Sequence, residues 1–164
     1  MKFFKVFIFI VILTPFLFVG CIQENISFDS KYHLSFSCDT VLFDTLLVDQ
    51  LSPTKRVKIY NDNKFAINIS SIKLSTGANS LFRINVDGCY PSENNEVNDI
   101  VVKANDSIFI FIEATVSDTS NNRNIVVTDS ILFCYNGNVD KLQLCAVAKN
   151  VIVLNKYVLT ENQV

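Results

Sequence analysis

Between residues 31 and 150 the chain repeats one short pattern: a few residues alternating apolar and polar, then a cluster of Asn, Asp, Gly, Ser or Pro. A period of two sends neighbouring side chains to opposite faces of an extended strand, whereas a helix needs a period near 3.6. Leu34-Ser35-Phe36-Ser37 opens the pattern, Val41-Leu42-Phe43 follows, and Pro53 interrupts it. Arg56-Val57-Lys58-Ile59-Tyr60 alternates into the turn residues Asn61-Asp62-Asn63-Lys64. Ala66-Ile67-Asn68-Ile69-Ser70 continues to Ile72 and Leu74, and Thr76-Gly77-Ala78-Asn79 turns the chain again. Phe82-Arg83-Ile84-Asn85-Val86 closes at Asp87-Gly88, and residues 89–99 read as a polar loop around Pro91. Further strands are expected at 100–102, 108–116, 125–127, 131–135 and 141–147, with a polar loop at 118–124. This rhythm predicts seven to nine short strands and no helix of consequence.

An antiparallel sheet with one wet face produces such hydrophobic-in, polar-out alternation. Two sheets packed face to face form a sandwich of about 100 residues, so residues 31–150 suffice for one core. A small barrel is the runner-up architecture. The 14 basic and 16 acidic residues leave a net charge of −2, too weak a field for nucleic acid. A single histidine, His33, leaves little material for a His-rich metal site or a His-dependent triad. No cofactor and no metal are expected.

The first 20 residues obey a different rule. Lys2 and Lys5 precede an apolar run from Val6 to Val19, broken only by Thr14 and Pro15, and six of the 14 Phe fall here. The run is short for a membrane span of about 20 residues and fits the h-region of a signal peptide. Leu17-Phe18-Val19-Gly20-Cys21 resembles a bacterial lipobox, in which a small residue precedes a cysteine that is lipidated and becomes the mature N-terminus. Phe18 stands where that pattern prefers Leu. The expected organisation is a lipoprotein signal peptide at 1–20, a lipid-anchored linker at 21–30, the sandwich at 31–150, and a strand or tail at 151–164. Without Lys2 and Lys5 the chain keeps 12 basic and 16 acidic residues, a net charge of −4. No Asp follows Cys21 directly, which in lipoprotein sorting leans toward the outer membrane.

Four cysteines remain: Cys38, Cys89, Cys134 and Cys145. An exported protein can oxidise them, and three pairings are open. The hairpin signal Asn136-Gly137 counts against one pair, because a two-residue loop sets Cys134 opposite Val139 rather than Cys145. No Cys-x-x-Cys spacing suggests zinc or thiol–disulfide exchange.

Residues 54–63, 66–74 and 82–88 together resemble the Ig-like sandwich of the ASPM/SPD-2/Hydin and MSP-like type. There a basic-apolar strand ends in Asn, an Ile-x-x-Ile strand follows, and a Phe-led strand comes next. Asn105-Asp106-Ser107 before Ile108 to Ile112 looks like that family's next turn, and residues 129–136 look like its penultimate strand. With the lipobox, the chain is similar to the N-terminal part of Bacteroidota lipoproteins in which a right-handed parallel beta-helix often follows. The resemblance implies an Ig-like fold and carries no catalytic residue. Val151 to Leu159 is another strand-like run, expected to pair or dock rather than stay an exposed edge.

Candidate chemistry is thin. Asp39-Thr40-Val41, Asp44-Thr45-Leu46, Asp106-Ser107-Ile108 and Asp129-Ser130-Ile131 share the order Asp, hydroxyl, aliphatic, which resembles the O-glycosylation sequon of exported Bacteroidota proteins. Thr40, Thr45, Ser107 and Ser130 are therefore the candidate modification sites, against the ordinary use of such pairs as turn residues. Asp87, Glu93, Glu96 and Asp99 offer oxygen ligands for Ca²⁺ but lack EF-hand spacing. Glu113 and Asp118 make a poor glycosidase pair, since alternation turns Glu113 to solvent. Tyr60, Tyr90, Tyr135 and Tyr157 are sugar-stacking candidates, although packing is the commoner fate of such rings.

The sequence thus predicts a non-catalytic, outer-membrane lipoprotein anchored through Cys21, presenting an Ig-like domain for binding or spacing. An envelope protein or glycan is the expected partner. The alternatives are a structural subunit of an envelope or fimbrial assembly and an accessory module of a polysaccharide-active enzyme.

Overall fold

The computed structural model describes residues 24–117 and 124–149. The strands are β1 (Ser35–Phe36), β2 (Thr40–Leu42), β3 (Leu46–Leu47), β4 (Lys55–Asn61), β5 (Ile67–Leu74), β6 (Phe82–Val86), β7 (Glu96–Val102), β8 (Asp106–Ala114), β9 (Asn124–Tyr135) and β10 (Asn138–Lys149). A 3-10 turn at Gly77–Asn79 is the one helical element among the described residues.

Sheet I has the order β1-β4-β8-β6, and sheet II the order β2-β10-β9-β5-β7, with β3 also on β10. The first ladder is antiparallel throughout, while β2 and β3 run parallel to β10. This is an Ig-like β-sandwich: an N-terminal strand begins on one sheet, crosses over and finishes on the other. Ten segments rather than seven to nine arise because β1, β2 and β3 are pieces of that one switching strand.

Alternation fills the space between the sheets. Val57 and Ile59 of β4, Ile110 and Ile112 of β8, and Phe82 and Ile84 of β6 face Ile69 and Ile72 of β5, Ile131 and Phe133 of β9, and Leu142 and Leu144 of β10, all of them buried. Each such side chain contributes about 1.5–3 kcal/mol. In β5 the apolar residues are spaced as Ile67, Ile69, Ile72 and Leu74, one residue out of phase, and a bulge at Ser70 restores the inward face. The Ser70 hydroxyl donates to the Cys134 carbonyl at 2.8 Å there.

Two expectations change. The polar stretch 89–99 is loop only to Asn95, because β7 begins at Glu96 and pairs with Lys73. A left-handed Asp99 (φ 56) breaks its alternation and hid the strand. The two runs at 125–127 and 131–135 form one strand, β9, paired along its whole length with β10.

Turns depend on Asn and Asp because glycine is scarce. Among the described residues, the non-glycine positions with positive φ are Asp49, Asp87, Asn95, Asp99, Asn105 and Asn136, the types that tolerate that region. At Asn136-Gly137 both φ values are positive (48 and 76), as a two-residue hairpin turn requires. Cys134 stands opposite Val139 and Cys145 opposite Thr128, as the turn predicts.

The β4–β5 and β9–β10 turns share one end of the sandwich, here the lower end, with the β7–β8 turn. Asn61 ties this end together. It is fully buried, and its Nδ2 donates to the carbonyls of Phe65 (2.9 Å), Val102 (2.9 Å) and Lys103 (3.0 Å). Its Oδ1 accepts from the backbone and side-chain amides of Asn63. Tyr135, also buried, accepts from the Leu34 amide at 3.1 Å and donates to the Asp140 carboxylate, fixing the N-terminal strand to β9.

Candidate functional site

The outward face of sheet I departs from the polar composition expected of a wet face. Register places Tyr60, Lys58 and Arg56 of β4 beside Ser107, Phe109 and Phe111 of β8, with Asn85 of β6 on the far side of Phe111. The Arg56 guanidinium lies 4.9 Å from the Phe109 ring centre, and the Lys58 ammonium 5.4 Å from that ring and 5.1 Å from Tyr60. Cations over ring faces satisfy the aromatic quadrupole and screen the rings from water. Phe111, 6.3 Å from Phe109, has no such cover among the described residues and is 37% exposed.

A tight turn supplies a second ring. Asp87 and Gly88 both have positive φ (49 and 88), and Val86 and Cys89 exchange two backbone hydrogen bonds at 2.9 and 2.8 Å. The chain therefore doubles back along the free edge of β6, carrying Tyr90 and Pro91 beside Asn85. Tyr90 is 82% exposed. Pro91 lacks an N–H and helps blunt that edge. The segment closes through Ser92 and Asn95, whose Nδ2 donates to the Gly77 carbonyl at 3.0 Å.

The result is an open groove of about 710 Å³, lined by Phe111, Tyr90 and Pro91, by the polar side chains of Asn85, Asn95, Arg83, Glu113 and Thr54, and by Ile84 and Gly88. Arg83 and Glu113 are opposite one another in the ladder yet are held by other partners. Arg83 Nη2 donates to the Thr115 hydroxyl at 2.7 Å, and Glu113 Oε1 accepts from the Thr54 hydroxyl at 2.7 Å. Asn85 Oδ1 accepts from the Gly88 amide at 3.0 Å. Each side chain thus keeps valences open while its position is set. The groove occupies the upper half of sheet I, beside β8 residues 111–113, away from the lower end.

The lower end receives the N-terminal segment. Asn25 and Ser27 exchange backbone hydrogen bonds with Ala66 at 3.0 and 2.9 Å. Asn136 and Asn138 donate to the carbonyls of Asp29 and Ser30. Residues 25–30, read as linker, are thus fastened to the domain. Phe28 is 77% exposed there, and Ile26 and Phe65 are also exposed. Lys31 pairs with Asp29 at 2.8 Å in the open, which holds the Asp29 carboxyl below its usual range. Burial first, and then the hydrogen bond to Asp140, push the Tyr135 phenol above its usual value.

The other candidates separate. Thr40 and Thr45 are exposed on and beside the β2–β3 edge, and Ser107 is half-buried at the start of β8. Ser130 is only 4% exposed, so the folded domain does not present its hydroxyl: the order Asp, hydroxyl, aliphatic here belongs to the middle of β9 rather than to a turn. Asp129 beside it accepts from the Ser80 hydroxyl at 2.6 Å and from the Thr76 amide at 3.3 Å, the residues that flank the 3-10 turn. Glu96 accepts from the Ser71 hydroxyl and Asp99 from Asn68, on the far sheet from Asp87. No three His, Cys, Asp or Glu converge among the described residues. His33 is exposed, Tyr60 lies under Lys58, and Cys38, Cys89, Cys134 and Cys145 are free thiols. Cys21, Asp118, Tyr157 and the 151–159 run lie outside the described residues. No helix among the described residues is long and apolar enough to cross a membrane.

The sequence set Glu113 with Asp118 and Tyr90 with Tyr60, Tyr135 and Tyr157, and did not bring Tyr90 and Glu113 to one groove. Its residues come from positions 54, 83–95 and 111–113, and the local signal was the Asp87-Gly88 turn followed at once by Tyr90-Pro91.

No family model matches the chain, and no curated protein matches its sequence. Among solved structures, a family 123 glycoside hydrolase from Clostridium perfringens is similar over 70% of this chain at 10% identity and TM-score 0.48. The match spans 23% of that enzyme, so this chain covers less than a quarter of its length. The PapD-like domain 7 of human CEP192 is similar over 82% of this chain and 96% of its own, at 10% identity and TM-score 0.42. The periplasmic chaperone SfaE is similar over 72% of this chain and 58% of its own, at 8% identity and TM-score 0.42.

Proposed function

We propose that this chain is a non-catalytic lipoprotein of the outer membrane, anchored through Cys21, that displays an Ig-like domain for binding. The observation that carries the reading is the polarity of the domain: the N-terminal segment joins the lower end, and the groove opens in the upper half of sheet I. Cys21 precedes Asn25 by four residues, which span about 14 Å at most when extended. An acylated Cys21 would therefore hold the lower end close to the bilayer and leave the groove facing away. The exposed Phe28, Ile26 and Phe65 suit that end to an apolar boundary. Each buried CH₂ of an acyl chain adds about 0.8 kcal/mol, so several chains make attachment stable.

One carboxylate, Glu113, and one guanidinium, Arg83, line the groove, a set suited to holding a ligand by hydrogen bonds. The same reading carries O-glycosylation at Thr40, Thr45 or Ser107, which would shield the β2–β3 edge and the start of β8. Intact mass of protein from the native host then exceeds the lipidated mass, and Thr→Ala and Ser→Ala changes remove the excess.

Palmitate labelling tests the anchor. The natural chain takes up label and sediments with membranes, whereas Cys21→Ala loses both. Equal labelling of the two proteins contradicts the anchor.

A further inference from the structure

We infer that the groove on sheet I binds a neutral carbohydrate chain, a proposal that rests on the reading of the domain as a binding module and names its ligand class. The first ground is a contrast within one face. Phe109 lies under Arg56 and Lys58, while Phe111, two residues on, is left bare beside the exposed Tyr90. A ring face kept open in a concavity suits a partner with an apolar flank of similar width. The C–H face of a pyranose is such a flank, with hydroxyls projecting from its edge.

The second ground is the polar rim. Asn85 and Asn95 each use one end of the amide internally, leaving donors on the first and an acceptor on the second. Arg83 and Glu113 each spend part of their capacity on a threonine hydroxyl. Fixed groups that offer both donors and acceptors match sugar hydroxyls, each of which donates and accepts.

The third ground is charge. One guanidinium and one carboxylate line the groove, so neither sign prevails. A sulfated or phosphorylated chain would meet Glu113, and a cationic peptide would meet Arg83. The volume of about 710 Å³ lies within the roughly 300–1,000 Å³ of ligand pockets and admits a short run of sugar rings.

The experiment is a titration of the full chain with chitohexaose, cellohexaose and mannohexaose, and with a heparin hexasaccharide as the anionic comparison. At least one neutral probe is expected to saturate with a Kd at or below about 1 mM. Tyr90→Ala and Phe111→Ala each weaken that binding by about tenfold or more, and Tyr60→Ala on the same face leaves it within about twofold. Tyr90 is so exposed that its removal leaves the fold intact, which the melting temperature verifies. The proposal is overturned if no neutral probe saturates by about 10 mM, if the Tyr90 and Phe111 variants bind unchanged, or if the heparin probe binds more tightly. The anchor is scored separately: lost sugar binding with intact palmitate labelling removes only the ligand assignment, and lost labelling with intact sugar binding removes only the anchor.

Discussion

The two sheets share one core but turn very different faces to solvent. Sheet I shows Tyr60, Phe109 and Phe111 with Arg56, Lys58, Arg83 and Glu113 around them. Sheet II turns out Asn68, Lys73, Thr128, Lys141 and Gln143 together with the aliphatic Val101, Val126 and Val139, and no outward aromatic among its described strand residues. Inward, the two are alike in kind: mostly Ile, Val, Leu and Phe, at every second place except where the β5 bulge and Asp99 of β7 shift the phase. Packing therefore explains the inner phase of every strand, and it does not explain why one outer phase is aromatic. That residue of unexplained chemistry is where a binding role is best sought.

If the outward aromatics were structural, their removal would hurt as core removal does. Ile110→Ala, one residue from Phe111 on β8, empties a fully buried site and is expected to cost about 4 kcal/mol in denaturant unfolding. Asn61→Ala comes next, at about 3 kcal/mol, since the carbonyls of Phe65, Val102 and Lys103 lose the amide that joins both sheets. Comparable loss in Asn61→Asp would show that amide donors, rather than side-chain size, hold the lower end.

Tyr135→Phe follows, at about 1–2 kcal/mol near neutral pH, by removing the link between Leu34 and Asp140. It also carries a pH signature. The folded phenol titrates above its unfolded value of about 10, so its contribution is fully present below that pH and is lost as pH climbs beyond it. The natural chain should lose stability progressively above about pH 10, and Tyr135→Phe should flatten that decline. An identical alkaline slope in both proteins contradicts the assignment. Phe111→Ala is last, below about 1 kcal/mol, because its ring is partly in water already. A cost near that of Ile110→Ala would make Phe111 a packing residue and erase the contrast between the two sheets.

Much of the inner phase was legible in the residues. Arg56 to Tyr60, Phe82 to Val86 and Ile108 to Ile112 alternate as β4, β6 and β8 do, and Asn136-Gly137 names its own hairpin. What alternation could not carry was irregularity. The bulge at Ser70 and the left-handed Asp99 disturb the period, so β7 read as loop. The crossing of the N-terminal strand from β4 to β10 depends on long-range pairing that no local run encodes. Ser130 reads as a turn hydroxyl because the polar Thr128-Asp129-Ser130 interrupts the apolar run, although the hairpin's pairing carries on through residues 124–130. The groove was least legible: only folding sets Tyr90, Asn85, Phe111 and Glu113 around one space.

The most direct test is to map where ligand touches the domain. Backbone amide shifts of the isotope-labelled full chain would be followed during addition of chitohexaose, cellohexaose or mannohexaose. Saturable shifts are expected at residues 83–95 and 111–113 on sheet I, with Thr128, Lys141 and Gln143 on sheet II unmoved. Shifts centred on sheet II, or no saturable shift with any of the three sugars, would contradict binding at the groove.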